Sequence, residues 1–204
     1  KKSKKIALII SGCCIAVGGI LILAAGIMTG FNFKKFRTTE YQPKVCVLTE
    51  EFSGINVKAN ETDIRIYPSK DESCKVMYQD SEKLIHNVYV ENDTLFVTTT
   101  DTRTWKDWIG IHWDEDFIVS IYLPKSEYAS LNLETASGDI DVSADFVFTQ
   151  AELISASGDV GFLGSTKEKI LAKSTSGEVF VKNIQAGTVE VESTSGSVEL
   201  EQIS

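Results

Sequence analysis

Apolar residues alternate with polar ones through the C-terminal third of the chain, in four copies centred on a Ser-Gly pair. The pairs are spaced 20, 19 and 19 residues apart: Ser137-Gly138, Ser157-Gly158, Ser176-Gly177 and Ser195-Gly196. In each copy, the residues six and four positions before the Ser and three and five positions after it are apolar. Such alternation predicts a short strand on each side of a turn. The fixed period predicts a solenoid, whose repeats stack on their neighbours.

The turns carry two further regular features. We expect a sharp Ser-Gly turn to need a positive φ, which glycine adopts without steric cost. A small hydroxyl residue lies two positions before each Ser: Thr135, Ser155, Ser174 and Ser193. Stacked coils would align these side chains into an inward ladder whose hydroxyls bond the backbone of the neighbouring coil.

The same pattern continues upstream in a less regular form. Residues Ile55–Ile66 align without a gap on Leu131–Val142, with Glu61-Thr62 in place of the Ser-Gly pair. Val88–Val97 is a further strand-turn-strand pattern that turns at Asn92-Asp93. The prediction is an all-β, mainly parallel β-solenoid over residues 38–204, right-handed as parallel crossovers usually are. Degenerate coils are expected over 45–124 and regular coils over 131–204, with further coils or a cap expected beyond Ser204.

The N-terminal segment, residues 1–37, has the pattern of a membrane anchor. Ile6 to Met28 is almost wholly apolar and is long enough to cross a hydrocarbon core of about 30 Å as a helix. Both flanks are basic, and we expect the short N-terminus to be cytoplasmic and the rest of the chain extracytoplasmic. Two alternatives stay open: a cleaved signal peptide, or a lipoprotein processed at Cys13.

Charge narrows the range of partners. Seven of the 20 basic residues precede Thr38, so the remainder carries 13 basic and 29 acidic residues, a formal charge of −16. A surface of this sign repels nucleic acid and anionic lipid. Acidic residues keep the domain soluble, and the alternative interpretation is capture of divalent cations or cationic peptides.

The chain lacks the usual catalytic, cofactor and metal-binding motifs. His86 and His112 lie 26 residues apart in no metal-binding pattern, and no nucleophile elbow, zinc-protease motif or phosphate loop is found. Cys46 and Cys74, the two cysteines outside the apolar segment, either form a disulfide or remain thiols. We therefore predict no catalytic residues, no cofactor and no metal. The alternative is a carbohydrate-active enzyme that uses stacked carboxylates at the positions after the turns, Asp139, Asp159 and Glu178.

One irregular segment, Asp101–Phe117, contains all three tryptophans: Trp105, Trp108 and Trp113. Indole rings beside carboxylates could stack on sugars or bind a cationic partner. The alternative is a loop that covers the apolar flank of the solenoid. These three residues are the candidate ligand or partner contacts.

The repeated Ser-Gly-Asp/Glu-aliphatic-x-aliphatic motif, with the strand ending Ile121-Tyr122-Leu123-Pro124, resembles a family of bacterial cell-envelope domains named putative adhesins. The resemblance covers about residues 45–204. It implies a repeat domain behind one membrane helix, and some of its members resemble the anchored component of Gram-positive envelope-stress loci. It implies no catalytic residues. The expected function is therefore adhesion, scaffolding or envelope-stress sensing, with a cell-wall polymer or a membrane sensor protein as partner and no nucleic acid.

Overall fold

A computed structural model describes residues 2–29, 41–104, 117–182 and 187–201. The chain divides into two compact units, and the first contains helix α1, Lys2–Thr29, of 28 residues. Among the described residues, no helix meets the length and apolarity that crossing a bilayer requires. The transmembrane helix expected at Ile6–Met28 therefore gains no support from the structure.

The second unit is built from β-strands. Within the described residues it has these strands: β1 Gln42–Leu48, β2 Gly54–Lys58, β3 Asp63–Pro68, β4 Cys74–Asp80, β5 Leu84–Glu91, β6 Thr94–Asp101, β7 Ile118–Leu123, β8 Glu127–Thr135, β9 Ile140–Val142, β10 Val147–Ser155, β11 Val160–Phe162, β12 Ser165–Ser174, β13 Val179–Lys182, β14 Thr188–Ser193 and β15 Val198–Glu201. The all-β class predicted from the alternating pattern is confirmed.

The strands form two sheets. Sheet A has the order β1-β4-β7-β3-β9-β11-β13-β15, and sheet B has the order β14-β12-β10-β8-β2-β6-β5. Each coil contributes one strand to sheet B, turns, and contributes the next strand to sheet A. Along the stack the coils follow the order β6–β7, β2–β3, β8–β9, β10–β11, β12–β13, β14–β15, and neighbouring coils pair in parallel. The right-handed sense stays a prediction.

Strand register confirms the repeat read from the sequence. Ser155 pairs with Ser174, which pairs in turn with Ser193, so the 19-residue period is one step along the stack. The upstream copy is confirmed as well, because Ile55 pairs with Leu131 and β3 pairs with β9 in the expected register. This coil therefore belongs to the stack although 76 residues separate Ile55 from Leu131.

The core fills the space between the two sheets with one alternating set of side chains. Apolar residues at the repeat positions are fully or almost fully buried, among them Leu131, Leu133, Ile140, Val142, Leu153, Val160, Ile170, Val179 and Val181. Phe146, Phe148 and Phe162 are buried beside the return loops, with neighbouring ring centroids 6.1 Å apart. Burial of each such side chain stabilises the fold by about 1.5–3 kcal/mol.

The region 45–124 differs from the expected run of degenerate coils. Strands β1, β4 and β5 pair antiparallel, so both sheets are mixed and only β2–β3 and β6–β7 are coils. Val88–Val97 is a strand-turn-strand as predicted, but it is an antiparallel hairpin. Its turn residues Asn92 and Asp93 have φ values of 48° and 61°. Two consecutive positive φ values close a tight hairpin, which reverses the chain within one sheet.

Candidate functional site

The Ser-Gly edge of the stack carries the predicted ladder of hydroxyl groups. Ser155 Oγ donates to the Gly138 carbonyl at 2.9 Å and accepts from the Gly158 amide at 2.9 Å. The same two bonds recur at Thr135, Ser174 and Ser193. Each hydroxyl therefore closes its own turn and links that turn to the preceding coil. The structural role expected for these side chains is confirmed.

The reason for the turn glycines differs from the one expected. None of Gly138, Gly158, Gly177 and Gly196 has a φ in the left-handed region. A Cβ built on Gly158 would instead overlap the carbonyl oxygen of Gly138, and the same overlap recurs along the stack at the other three. The expectation of positive φ was wrong. Glycine is required because the turns of neighbouring coils approach each other backbone to backbone.

Carboxylates after the turns form a second ladder beside the first. Asp63 Oδ1 accepts from the Asp139 amide at 3.0 Å, Asp139 Oδ1 from the Asp159 amide at 2.8 Å, and Asp159 Oδ1 from the Glu178 amide at 2.7 Å. The carboxylates do align along one edge, as the sequence suggested. They act as backbone acceptors between coils, and this is a structural use of the residues on which the glycosidase alternative depended.

The outer face of sheet A has a shallow hollow of about 190 Å³ beside this ladder, between Tyr67, Asp141 and Phe180. Phe180 lies over Gly161, where a Cβ would collide with its ring. Burial raises the pKa of Asp141, and the negative charges of the ladder add to this shift while Arg65 opposes it. The hollow combines two aromatic walls with one carboxylate.

A larger cleft, of about 650 Å³, opens at the return-loop end of the coils. Phe52 and Tyr128 stack in its wall with ring centroids 6.2 Å apart, and Leu48, Cys74 and Pro124 add apolar surface. Its polar lining includes three glutamates, Glu50, Glu51 and Glu72. Burial raises the pKa of Tyr128 to about 12, while its hydroxyl donates to the Pro124 carbonyl at 3.0 Å.

Sequence reasoning missed this cleft because its parts are far apart in the chain. Phe52 precedes β2 and Tyr128 is the second residue of β8, so no local spacing joins them. The one signal of the cleft in the sequence was the register of the aligned repeats. The alignment of Ile55 on Leu131 places Phe52 and Tyr128 at offsets of three residues before matched positions, and hence on the same side of neighbouring coils.

The predicted contacts Trp105, Trp108 and Trp113 lie outside the described residues. At the near end of their segment, the side chain of Arg103 is 4% exposed and its guanidinium donates to the Asp101 carboxylate at 2.6–3.0 Å. The hydrogen bond to Asp101 raises the pKa of Arg103. Its charge also lies over the Phe117 ring, 5.4 Å from the centroid, at the far end of the segment. The two ends of the tryptophan segment are thus held together by one buried cation.

A buried polar cluster links the three antiparallel strands. Asp80 accepts from the backbone amide of His86 at 2.9 Å, contacts His86 Nδ1 at 2.9 Å, and accepts from Lys44 Nζ at 2.8 Å. Burial alone would raise the pKa of Asp80, but the hydrogen bonds from Lys44 and His86 outweigh it and lower the pKa. His86 thus takes part in a structural cluster, and His112 lies outside the described residues.

Cys46 and Cys74 are both free thiols in the structure. Cys46 pairs with Val76, and Cys74 pairs with Leu48, so the cysteines occupy diagonal positions on two antiparallel strands. Burial, with a smaller contribution from Cys46, raises the pKa of Cys74 to about 12. Of the two possibilities left open by the sequence, the structure has the thiol form.

One solved structure shares this architecture. A protein from Clostridium sporogenes, described as a putative cell adhesion protein, is similar with a TM-score of 0.57 at 9% identity, over 79% of this chain and 99% of that one. A putative adhesin from Bacteroides fragilis matches with a TM-score of 0.30 at 12% identity, over 80% and 98%. The first likeness shows the fold alone, and no curated protein matches this chain.

A family model fits the part of the chain that forms the coils. The match runs over residues 52–204, from the loop before β2 through the last coil. It includes all four Ser-Gly turns and both ladders, and it agrees with the resemblance carried by the repeat motif. The chain belongs to the Toastrack family, DUF4097.

Proposed function

We propose that this protein is a non-enzymatic binding module of the bacterial cell envelope that serves in adhesion, scaffolding or stress sensing. The observation that carries the proposal is the carboxylate ladder. Asp139 and Asp159, the best candidates for paired catalytic acids, each accept a backbone hydrogen bond from the next coil. A general acid must hold and release a proton at the substrate. A carboxylate that already accepts a backbone hydrogen bond is poorly suited to that role.

The contact region in this proposal is the cleft between Phe52 and Tyr128. It joins an apolar wall to a polar rim, the combination typical of binding sites. A cell-wall polymer or a membrane sensor protein is the proposed partner class. The name of the similar Clostridium sporogenes structure, which describes a putative cell adhesion protein, favours binding over catalysis.

The proposal includes a single-pass membrane anchor, with the second unit that is built from β-strands (the β-domain) outside the cell. Its support is the uncharged run from Ile6 to Met28 and the basic residues on both sides. Protease added to intact cells should remove the chain after Arg37 and leave the anchor in the membrane. Complete protection of the β-domain, in cells shown to be accessible, would reverse the proposed orientation.

The binding function is tested with the full chain in detergent micelles against purified cell-wall polymers and membrane sensor proteins. Phe52→Ala should weaken capture, whereas Phe180→Ala, on the outer face of sheet A, should not. A parallel glycan-hydrolysis screen should show no turnover. Turnover that Asp139→Asn or Asp159→Asn abolishes would refute the non-enzymatic function and restore the carbohydrate-active alternative.

A further inference from the structure

The cleft between Phe52 and Tyr128 has an aromatic wall that belongs to the core. The Phe52 ring stacks on Tyr128, which is 5% exposed. Tyr128 in turn packs against Phe148, with ring centroids 5.9 Å apart, and against Phe146, with ring centroids 6.4 Å apart. The wall therefore has its shape before any ligand arrives, and a preformed site loses less side-chain freedom on binding.

Three glutamates from two different loops lie at the mouth of this cleft. Leu48 and Cys74 form the last residue pair between β1 and β4 at this end. Glu50 lies two residues beyond Leu48, and Glu72 lies two residues before Cys74, so the two loops that leave this pair each carry a carboxylate. Glu51 adds a third. All three glutamates are exposed and line the cleft.

The negative charge at this mouth is not compensated within the β-domain. Among the described residues, none of these three carboxylates has a hydrogen bond or an ion pair, and no basic side chain lines the cleft. The lysines that follow its lining residues in sequence have other partners, since Lys75 pairs with Asp71 and Lys125 pairs with Asp145. The cleft therefore attracts cations.

The loop that carries Glu72 is held in place. Glu72 has a φ of 57°, in the left-handed region that a residue with a side chain adopts only at a cost. Asp71 next to it accepts from the Ser69 hydroxyl at 2.9 Å, from the Ser73 hydroxyl at 2.7 Å and from the Lys75 ammonium. These bonds fix the loop, so the Glu72 carboxylate is presented at a defined place on the mouth of the cleft.

Two other kinds of ligand fit this cleft poorly. Among the described residues, no group of three His, Cys, Asp or Glu side chains is placed to hold a metal ion, so the three glutamates do not form a metal site. An anionic cell-wall polymer would meet three unpaired carboxylates on an acidic domain and would be repelled. The apolar wall and the acidic mouth together suit a ligand that carries both hydrophobic groups and positive charges.

We propose that the cleft binds a basic amphipathic segment of another polypeptide. An aromatic or aliphatic side chain of that segment packs on Phe52, and its Lys or Arg groups pair with the three glutamates at the mouth. The apolar contact supplies affinity, while the charges select the partner and speed its approach. The inference rests on the binding function proposed above and narrows its partner class to a protein rather than a cell-wall polymer.

A second copy of the β-domain is a poorer occupant. From Thr38 onward the chain has 13 basic and 29 acidic residues, so another copy would bring mostly like charge to the acidic mouth of the cleft. An uncharged protein surface is also unfavourable, because it would take water from three carboxylates without giving them a partner. A basic segment avoids both costs.

A short synthetic peptide tests the proposed chemistry. The probe is Lys-Phe-Lys-Leu-Lys-Phe with blocked ends, and its matched peptides have Gln or Glu in place of each Lys. Calorimetric titration of the full chain in uncharged detergent micelles, with protein-free micelles as the blank, measures binding. We expect one-to-one binding of the Lys peptide that weakens as salt rises, and at least about tenfold weaker binding of the Gln and Glu peptides. Equal binding of the Lys and Gln peptides, or no binding of the Lys peptide, overturns the proposal.

Matched variants of the protein locate the binding. Glu50→Gln, Glu51→Gln and Glu72→Gln together remove three charges with little change of shape, and should weaken binding of the Lys peptide at least about tenfold, as the loss of a few exposed ion pairs would. The control is a second triple Gln variant with the same net charge, at three exposed glutamates outside the cleft: Glu82, Glu91 and Glu152. It should bind the Lys peptide almost as the parent does. Equal weakening in both variants would show attraction to the acidic surface as a whole and overturns the proposal.

Phe52→Ala separates failure of this inference from failure of the binding function. If Phe52→Ala weakens capture of a cell-wall polymer while the Lys peptide does not bind, the cleft is a binding site and only the basic-segment inference is wrong. If Phe52→Ala changes neither capture nor peptide binding, both proposals are wrong. Weaker binding of the Lys peptide to Phe52→Ala and to the cleft Gln variant, with the control variant unchanged, is the result expected.

Discussion

The hydroxyl of Ser174 donates to the carbonyl oxygen of Gly158, 2.8 Å away in the preceding coil. The Ser174 Oγ itself accepts from the Gly177 amide at 2.9 Å, so one side chain satisfies two backbone groups. Ser174→Ala should lower the free energy of unfolding by about 1–3 kcal/mol, because a buried carbonyl and a buried amide lose their partner. Chemical denaturation measures the change. Ser176→Ala, at the exposed first position of the same turn, is the control and should have little effect.

Backbone contact between coils predicts a strict requirement for glycine. Gly177→Ala should destabilise the domain by about 1–3 kcal/mol, because even one methyl group would overlap the Gly158 carbonyl oxygen. Asn at the same position should be at least as costly. Tolerance of Asn together with intolerance of Ala would point to a left-handed backbone instead and would contradict the geometry described here.

Damage at one turn should spread along the stack in order. Each coil contacts its neighbours, so hydrogen exchange in Gly177→Ala should rise first in the coils that contain Ser155 and Ser193. Exchange in β4 and β5, at the other end, should change least. Uniform loss of protection across both sheets would show a single cooperative unit instead.

The sequence predicted what repeats and missed what does not repeat. The 19-residue period determined the coils, their register and the hydroxyl ladder, because each depends on residues a fixed distance apart. Glycine was identified for the wrong physical reason, because a close approach between coils depends on three-dimensional spacing that sequence does not give. The antiparallel strands β1, β4 and β5 share the alternating pattern of the coils, which carries no information on strand direction.

The cluster around Asp80 predicts a stability that depends on pH. Its carboxyl pKa is lower in the fold than in the unfolded chain, so the stabilisation is complete above the ordinary value of about 4 and is lost as pH falls through the folded value. Asp80→Asn should therefore cost about 1.5–3 kcal/mol at neutral pH, the usual contribution of hydrogen bonds to a charged group. The difference from the parent protein should shrink below about pH 4.

Denaturant unfolding of Asp80→Asn and of the parent protein at pH 7 and pH 3 would measure the loss of stability at each pH. Asp145→Asn offers a matched control, because the Asp145 carboxylate pairs with Lys125 at the surface. That variant should change stability little at either pH. If Asp80→Asn lowers the free energy of unfolding equally at both pH values, the shape of the side chain rather than its charge matters at this site.

The two cysteines of the β-domain should differ in reactivity. Burial raises the pKa of the Cys74 thiol to about 12, so almost none of it is thiolate at pH 8. Cys46 is only partly buried and should be alkylated first. Iodoacetamide labelling with peptide mapping by mass spectrometry would measure each site separately. Labelling of Cys74 at the rate of Cys46 in the native protein would contradict the buried thiol, and labelling of both in denaturant is the control.

The place of the β2–β3 coil in the stack constrains how the chain can fold during synthesis. This coil leaves the ribosome first, yet its neighbours in space, β6–β7 and β8–β9, are made later. One of its edges stays open until β7 has emerged at residue 123 and the other until β9 has emerged at residue 142, and open strand edges are prone to pairing with other chains. The N-terminal half therefore cannot mature alone. Later coils can add one by one to a completed template, so the most aggregation-sensitive interval in the synthesis of this protein falls before residue 142 has emerged.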